Sequence, residues 1–118
     1  MSDSFQDRRS THRAAIDVLA NRFLDGYPYL CRAIDISPGG MRVERFNEPE
    51  GRSRFIGLQF QLPGSSDVLT ASGEVISNDH DARAVGIRFT RLPAPSAAAI
   101  ERYIADHEDD DEEIDALA

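Results

Sequence analysis

The chain reads as a mainly β domain: a six-stranded antiparallel β-barrel with a C-terminal α-helix and a flexible N-terminal arm. Three observations predict this. Ile56, Leu58, Phe60 and Leu62 recur at the two-residue period of a half-buried strand. Five more short apolar runs are separated by polar, Gly- and Pro-rich punctuation that leaves no room for helical crossovers. The period turns helical only after Pro93 and Pro95. A chain of 118 residues is one domain, and it buries roughly two-thirds of its unfolded surface without needing a staple.

The elements follow in order. Residues 1–14 are polar, lack an apolar period and read as the arm. From Ala15, the residues Ile16, Val18 and Ala20 alternate with Asp17, Leu19 and Asn21 as a first strand. Asp25-Gly26 before Tyr27-Pro28 is a turn signal, and Leu30–Ile36 is a second strand. Met41–Arg45 is a third, with Met41 and Val43 on one face and Arg42 and Glu44 on the other. Residues 47–54 form a loop before the run from Ile56 to Leu62, and Pro63–Asp67 forms a turn after it. Leu69–Ser77 is a fifth strand with Gly73 marking a bulge, residues 78–83 a loop, and Val85, Ile87 and Phe89 a sixth strand. The barrel therefore covers 15–92. Ser96 is placed to cap a helix over 93–107, whose Ile100, Tyr103 and Ile104 form an apolar stripe that packs on the barrel. Residues 108–118 are an acidic tail, in which Ile114 and Leu117 leave room for a short second helix.

Charge is divided unevenly. The net charge is -8, and residues 101–118 hold all of it: nine acids against the single base Arg102. The body, residues 1–100, is neutral, with twelve acids and twelve bases. A neutral body argues against nucleic acid as a partner, which needs a broad basic face. The run Glu108–Glu113 reads as a solvated tail, or alternatively as a competitor for the arginine arm. One cysteine, Cys31, excludes an internal disulfide and is expected as a small buried hydrophobe. The polar N-terminus carries no signal-peptide pattern, and no apolar run approaches the ~20 residues of a membrane helix. The expectation is a cytoplasmic protein without membrane insertion.

Two segments carry chemistry. RRSTHR, Arg8–Arg13, places Arg9 and Arg13 four apart, so both can grip one ligand. A guanidinium offers a charged fork that fits phosphate and guanine O6/N7, and a face that stacks on a purine. DISPGG, Asp35–Gly40, puts a carboxylate and a hydroxyl on the same face of a strand, with Ile36 turned to the core. A carboxylate accepts from guanine N1–H and N2–H₂. Pro38 and Gly39 suit the centre of a type II turn, and Gly40 allows close approach of backbone. Taken singly, the first segment is also a solvated basic arm, and the second an ordinary polar hairpin turn.

Taken together, RxxxR (Arg9, Arg13), a strand, and then DxSxxG (Asp35, Ser37, Gly40) resemble the PilZ domain family. The later pattern Gly73-Glu74-Val75, a loop, and Val85–Phe89, followed by a helix, extends the resemblance over about residues 5–105. The resemblance implies a PilZ-like barrel that binds cyclic di-GMP. It implies that Arg9 and Arg13 hold phosphates and guanine edges, that Asp35 and Ser37 bond a guanine, and that Gly40 leaves room for it. It implies that Arg8 goes with binding two stacked ligand molecules, and it makes His12, Gly39 and Ser77 flanking contacts. Ser77 stands where the family often has an aromatic residue, which removes a stacking contact worth ~1–3 kcal/mol.

His12, His80 and His107 show no ligand spacing with Cys or carboxylate partners, and no nucleophile with a base stands out. No metal, no cofactor other than the ligand and no enzymatic activity is therefore expected. The expected function is a bacterial receptor and adaptor in signal transduction, controlling motility, adhesion or biofilm. It would relay cyclic di-GMP binding to an effector protein by ordering of the N-terminal arm. The alternative is a PilZ-like adaptor that binds protein without the nucleotide.

Overall fold

In the computed structural model residues 13–46, 54–79 and 83–117 are described, with side chains described as far as His107. The strands are β1 Ala14–Leu24, β2 Tyr27–Ser37, β3 Gly40–Arg45, β4 Phe55–Phe60, β5 Leu69–Asp79 and β6 Ala84–Arg91. They pair antiparallel in the order β1-β2-β3-β6-β5-β4 and close into a barrel as β4 returns to β1, Ala20 opposite Phe60. Closure leaves no unpaired sheet edge. The barrel and the closing helix expected from the sequence are both present.

Several bounds differ from the pattern. β1 runs on to Leu24, because Asp25 and Gly26 take positive φ (53° and 85°) and close a two-residue hairpin directly onto Tyr27. β2 accordingly begins three residues before Leu30. The extension turns Arg22, with Ala20 and Leu24, to the buried side of the strand. A charge at an inward position breaks the apolar alternation, so the sequence hides it. Burial lowers the Arg22 pKa; Cys31 opposes that effect and Arg45 adds to it. Cys31 is fully buried, as expected, and burial pushes its thiol up to about 11, with Arg22 pulling it back down.

The core fills the barrel with small and branched side chains, among them Cys31, Ala33, Ile36, Val43 and Val85. The helix α1, Ala94–Leu117, seals it through Ile100 and Ile104, both buried, with Tyr103 half-buried beside them. α1 is longer than the apolar stripe suggests, and its backbone stays helical past residue 107, through most of the segment read as a tail. Ser96 does not cap it. The helix starts two residues earlier, where Pro93 O accepts from Ala97 N at 2.9 Å, and Ser96 Oγ instead accepts from Thr70 N at 3.4 Å, tying α1 to β5.

Candidate ligand-binding site

Two bulges aim the site. Along β2, Cys31 and Ala33 face inward, and strict alternation would send Asp35 inward as well. Ala33 lies opposite Val43 and Asp35 opposite Arg42, so Ile34 is an extra residue. The phase flips there: Ile36 enters the core and Asp35 turns outward. On β5, Val75 lies opposite Ile87 and Ser77 opposite Gly86, so Ile76 is extra and stands 62% exposed. Between the bulges runs a row across four strands: Asp35, Arg42, Gly86 and Ser77. A parallel row holds Gly40, Arg88 and Glu74. Over them lies an open cavity of about 670 Å³. A smaller one of about 280 Å³ on the β1–β4 side has no charged lining residue, and its polar side-chain groups are the amides of Asn21, Gln59 and Gln61.

Six sequence-expected residues meet at the larger cavity: Arg13, Asp35, Ser37, Gly39, Gly40 and Ser77. Arg8, Arg9 and His12, with residues 1–12 of the expected arm, lie outside the described residues; the expected arm runs to residue 14, but Ala14 is buried and opens β1, paired with Ile36. Arg13 donates from Nη1 to Asp35 Oδ2 at 3.3 Å, with the Arg13 side chain 67% exposed and that of Asp35 25%. A guanidinium and a carboxylate therefore stand together at the cavity wall.

The turn is built differently from its expected form. Ser37 lines the cavity beside Asp35 but is itself buried. Its Oγ accepts from Gly39 N at 3.3 Å and Gly40 N at 3.2 Å, and donates to Gly40 O at 3.3 Å. A hydroxyl that satisfies its own turn in this way is a local alternative to a backbone turn bond. The turn is not type II, because Gly39 lacks the positive φ that type II requires at that position. Instead Gly39 O accepts from Phe89 N at 2.8 Å, which clamps the turn to β6. The missing Cβ of Gly40 makes room for protein: a Cβ there would collide with the Ile87 carbonyl oxygen and stand 3.2 Å from Arg88 Cα. Gly40 permits the β3–β6 pairing on which the site is built.

Sequence reasoning missed Met41, Arg42, Ile76, Gly86, Ile87 and Arg88, which also line the cavity. Arg42 was legible as outward on its strand, but not as a neighbour of Asp35 and Gly86, since cross-strand register is a tertiary fact. Ile76 carried no signal, because its bulge breaks the alternation. Glu74 holds Arg88 and, from the other side, Arg54 at 3.3 Å. Among the described residues no group of three or more His, Cys, Asp and Glu is arranged to hold a metal ion. No helix among them is long and apolar enough to cross a membrane.

The sequence matches the PilZ domain over residues 7–106, most of its length. The chain belongs to the PilZ domain family. No curated protein matches it closely enough to count as a relative. Among solved structures it is similar to the Bacillus subtilis inhibitor of motility MotI/DgrA, with a TM-score of 0.70 and 18% identity over 84% of this chain. It is similar to the PilZ domain of Escherichia coli YcgR, solved with c-di-GMP, with a TM-score of 0.65 and 18% identity over 94% of this chain and 99% of that one. A third similar structure is Borreliella burgdorferi PlzA in complex with c-di-GMP, with a TM-score of 0.61 and 22% identity over 86% of this chain. This PilZ chain spans 50% of the Bacillus protein and 43% of the Borreliella protein. At these identities the likeness is one of fold.

Proposed function

We propose that this PilZ protein is a non-enzymatic receptor and adaptor for cyclic di-GMP. One observation carries the reading: every RxxxR and DxSxxG residue that is described (Arg13, Asp35, Ser37 and Gly40) lines one cavity on one face of the barrel. The solved complexes of the YcgR PilZ domain and of PlzA with c-di-GMP support the same ligand here.

In this reading Arg9 and Arg13 grip phosphates and guanine edges, and Asp35 accepts from guanine N1–H and N2–H₂. Arg8 goes with a second, stacked molecule, and His12, Gly39 and Ser77 flank the ligand. Ser37 acts mainly through the turn it ties, and Gly40 through the strand pairing it permits. The groups assembled here bind and orient; the reading gives them no chemistry on the ligand. Binding opens the Arg13–Asp35 pair and orders the segment that precedes Arg13 over the nucleotide. Ordering costs free energy, so the arginine contacts must exceed that cost. The ordered segment then presents a new surface to an effector protein in the cytoplasm, in control of motility, adhesion or biofilm.

Isothermal titration with cyclic di-GMP tests the reading. Binding is expected, and Arg9→Ala and Arg13→Ala should each weaken it about tenfold or more, the equivalent of about 1.4 kcal/mol. A wild-type protein that gives no heat, and no chemical-shift change at Arg13 or Asp35, would leave a PilZ adaptor that binds protein alone.

A further inference from the structure

Three described arginines line the cavity: Arg13, Arg42 and Arg88. Arg13 is held by Asp35 and Arg88 by Glu74. Arg42 projects outward from β3 between the buried Met41 and Val43, and its side chain makes no hydrogen bond or ion pair with any described residue. Resting on the cyclic di-GMP reading above, we propose that Arg42 is a further phosphate-binding residue of the site. Its guanidinium takes a phosphodiester of the ligand on the β3–β6 floor.

The register supports that role. Arg42 lies opposite Asp35 on one side and opposite Gly86 on the other. Adjacent strands are ~4.8 Å apart, so Arg42 reaches alongside any base that Asp35 holds. Gly86 has no side chain, and Ser77 Oγ leans into the space its Cβ would fill. The floor beyond Arg42 therefore carries no side chain of its own at Gly86. The energetic case points the same way. Arg13 and Arg88 must each exchange a carboxylate for a phosphate, whereas Arg42 gives up no carboxylate among the described residues. Its donor fork suits a phosphodiester bidentately, which an ammonium cannot match.

Titration of cyclic di-GMP into wild type, Arg42→Gln, Arg42→Lys, Arg13→Ala and Arg91→Gln tests this. Arg91 is exposed on β6 outside the cavity and controls for the loss of one positive charge. Arg42→Gln should weaken binding about tenfold or more, as expected for a lost charge-assisted contact. Arg42→Lys should weaken it less, and Arg91→Gln should leave it unchanged. Added salt should weaken binding to wild type more steeply than to Arg42→Gln, since one ionic contact is already gone. Unfolding midpoints should coincide, because both side chains sit in water. If wild type binds, Arg13→Ala weakens binding and Arg42→Gln matches either wild type or Arg91→Gln, the role of Arg42 falls while the ligand reading stands. If wild type does not bind, both fall.

Discussion

Arg13 Nη1 stands 3.3 Å from Asp35 Oδ2, so two residues that the sequence offers as separate ligand contacts hold one another in the free protein. Such a pair, with its arginine mostly in water, contributes ~0–1 kcal/mol to folding. Stability and binding should therefore separate on one variant. Asp35→Asn keeps the side chain's shape but removes the charge and one acceptor that a guanine edge would use. It should lower the unfolding midpoint only slightly while weakening cyclic di-GMP binding about tenfold or more, as expected for a hydrogen bond to a charged group. Melting curves and titrations on the same preparation check both halves; a large loss of stability would show that the pair holds the fold.

Two adjacent glycines should behave oppositely. A Cβ on Gly39 meets nothing within 4 Å, and its φ is not positive. Gly39→Ala should be neutral or stabilise by about 0.4–1 kcal/mol, by restricting the unfolded chain. A Cβ on Gly40 strikes the Ile87 carbonyl oxygen, and backbone cannot swing aside as a long side chain can. Gly40→Ala should cost about 1–3 kcal/mol, the range for overpacking a filled space. Thermal unfolding of the two variants decides it. Equal midpoints would return Gly40 to the role first read for it, making room for ligand.

The barrel was legible because alternation is a local property: Ile56, Leu58 and Phe60 declare their inward face without reference to any other strand. The site was legible only at its motif. Asp35 and Ile36 were assigned to the correct faces, but the Ile34 bulge is what puts them there. The bonds of Ser37 within its own turn were not legible, because a hydroxyl's choice between ligand and its own turn is invisible in sequence. Arg42, Gly86 and Ile76 join the cavity through register and a second bulge, and register is set by pairings between distant segments. Arg22 was missed because a buried charge contradicts the pattern that identifies buried positions.

Ser77 leaves the wall of the cavity thin. Its Oγ fills the notch at Gly86, and the apolar surface there comes from Ile76 next door. Restoring an aromatic ring by Ser77→Trp should add a stacking surface. The expected gain in affinity for cyclic di-GMP is about tenfold, the lower part of the range for base–aromatic stacking. Ile76→Ala should move affinity the other way. Titrations that find Ser77→Trp weaker, with an unchanged melting curve, would mean that the ligand needs the notch open.

Cys31 gives the fold a pH dependence of its own. The ordinary thiol value is 9.0, and burial raises it in the folded protein to about 11. The protonated, neutral thiol is thus the form the core favours. Its contribution is fully present below pH 9. Above that the unfolded chain gives up its proton first, and the contribution is lost as pH climbs through 11. At ~1.4 kcal/mol per pKa unit, the loss is on the order of 3 kcal/mol. Replacing the thiol by Cys31→Ala should lower stability near neutral pH through lost packing, yet flatten the decline between pH 9 and 11. Denaturant unfolding of both proteins at each pH isolates the effect, since all other side chains are common to the two proteins. Parallel curves would mean that the Cys31 thiol titrates alike in the folded and unfolded chain.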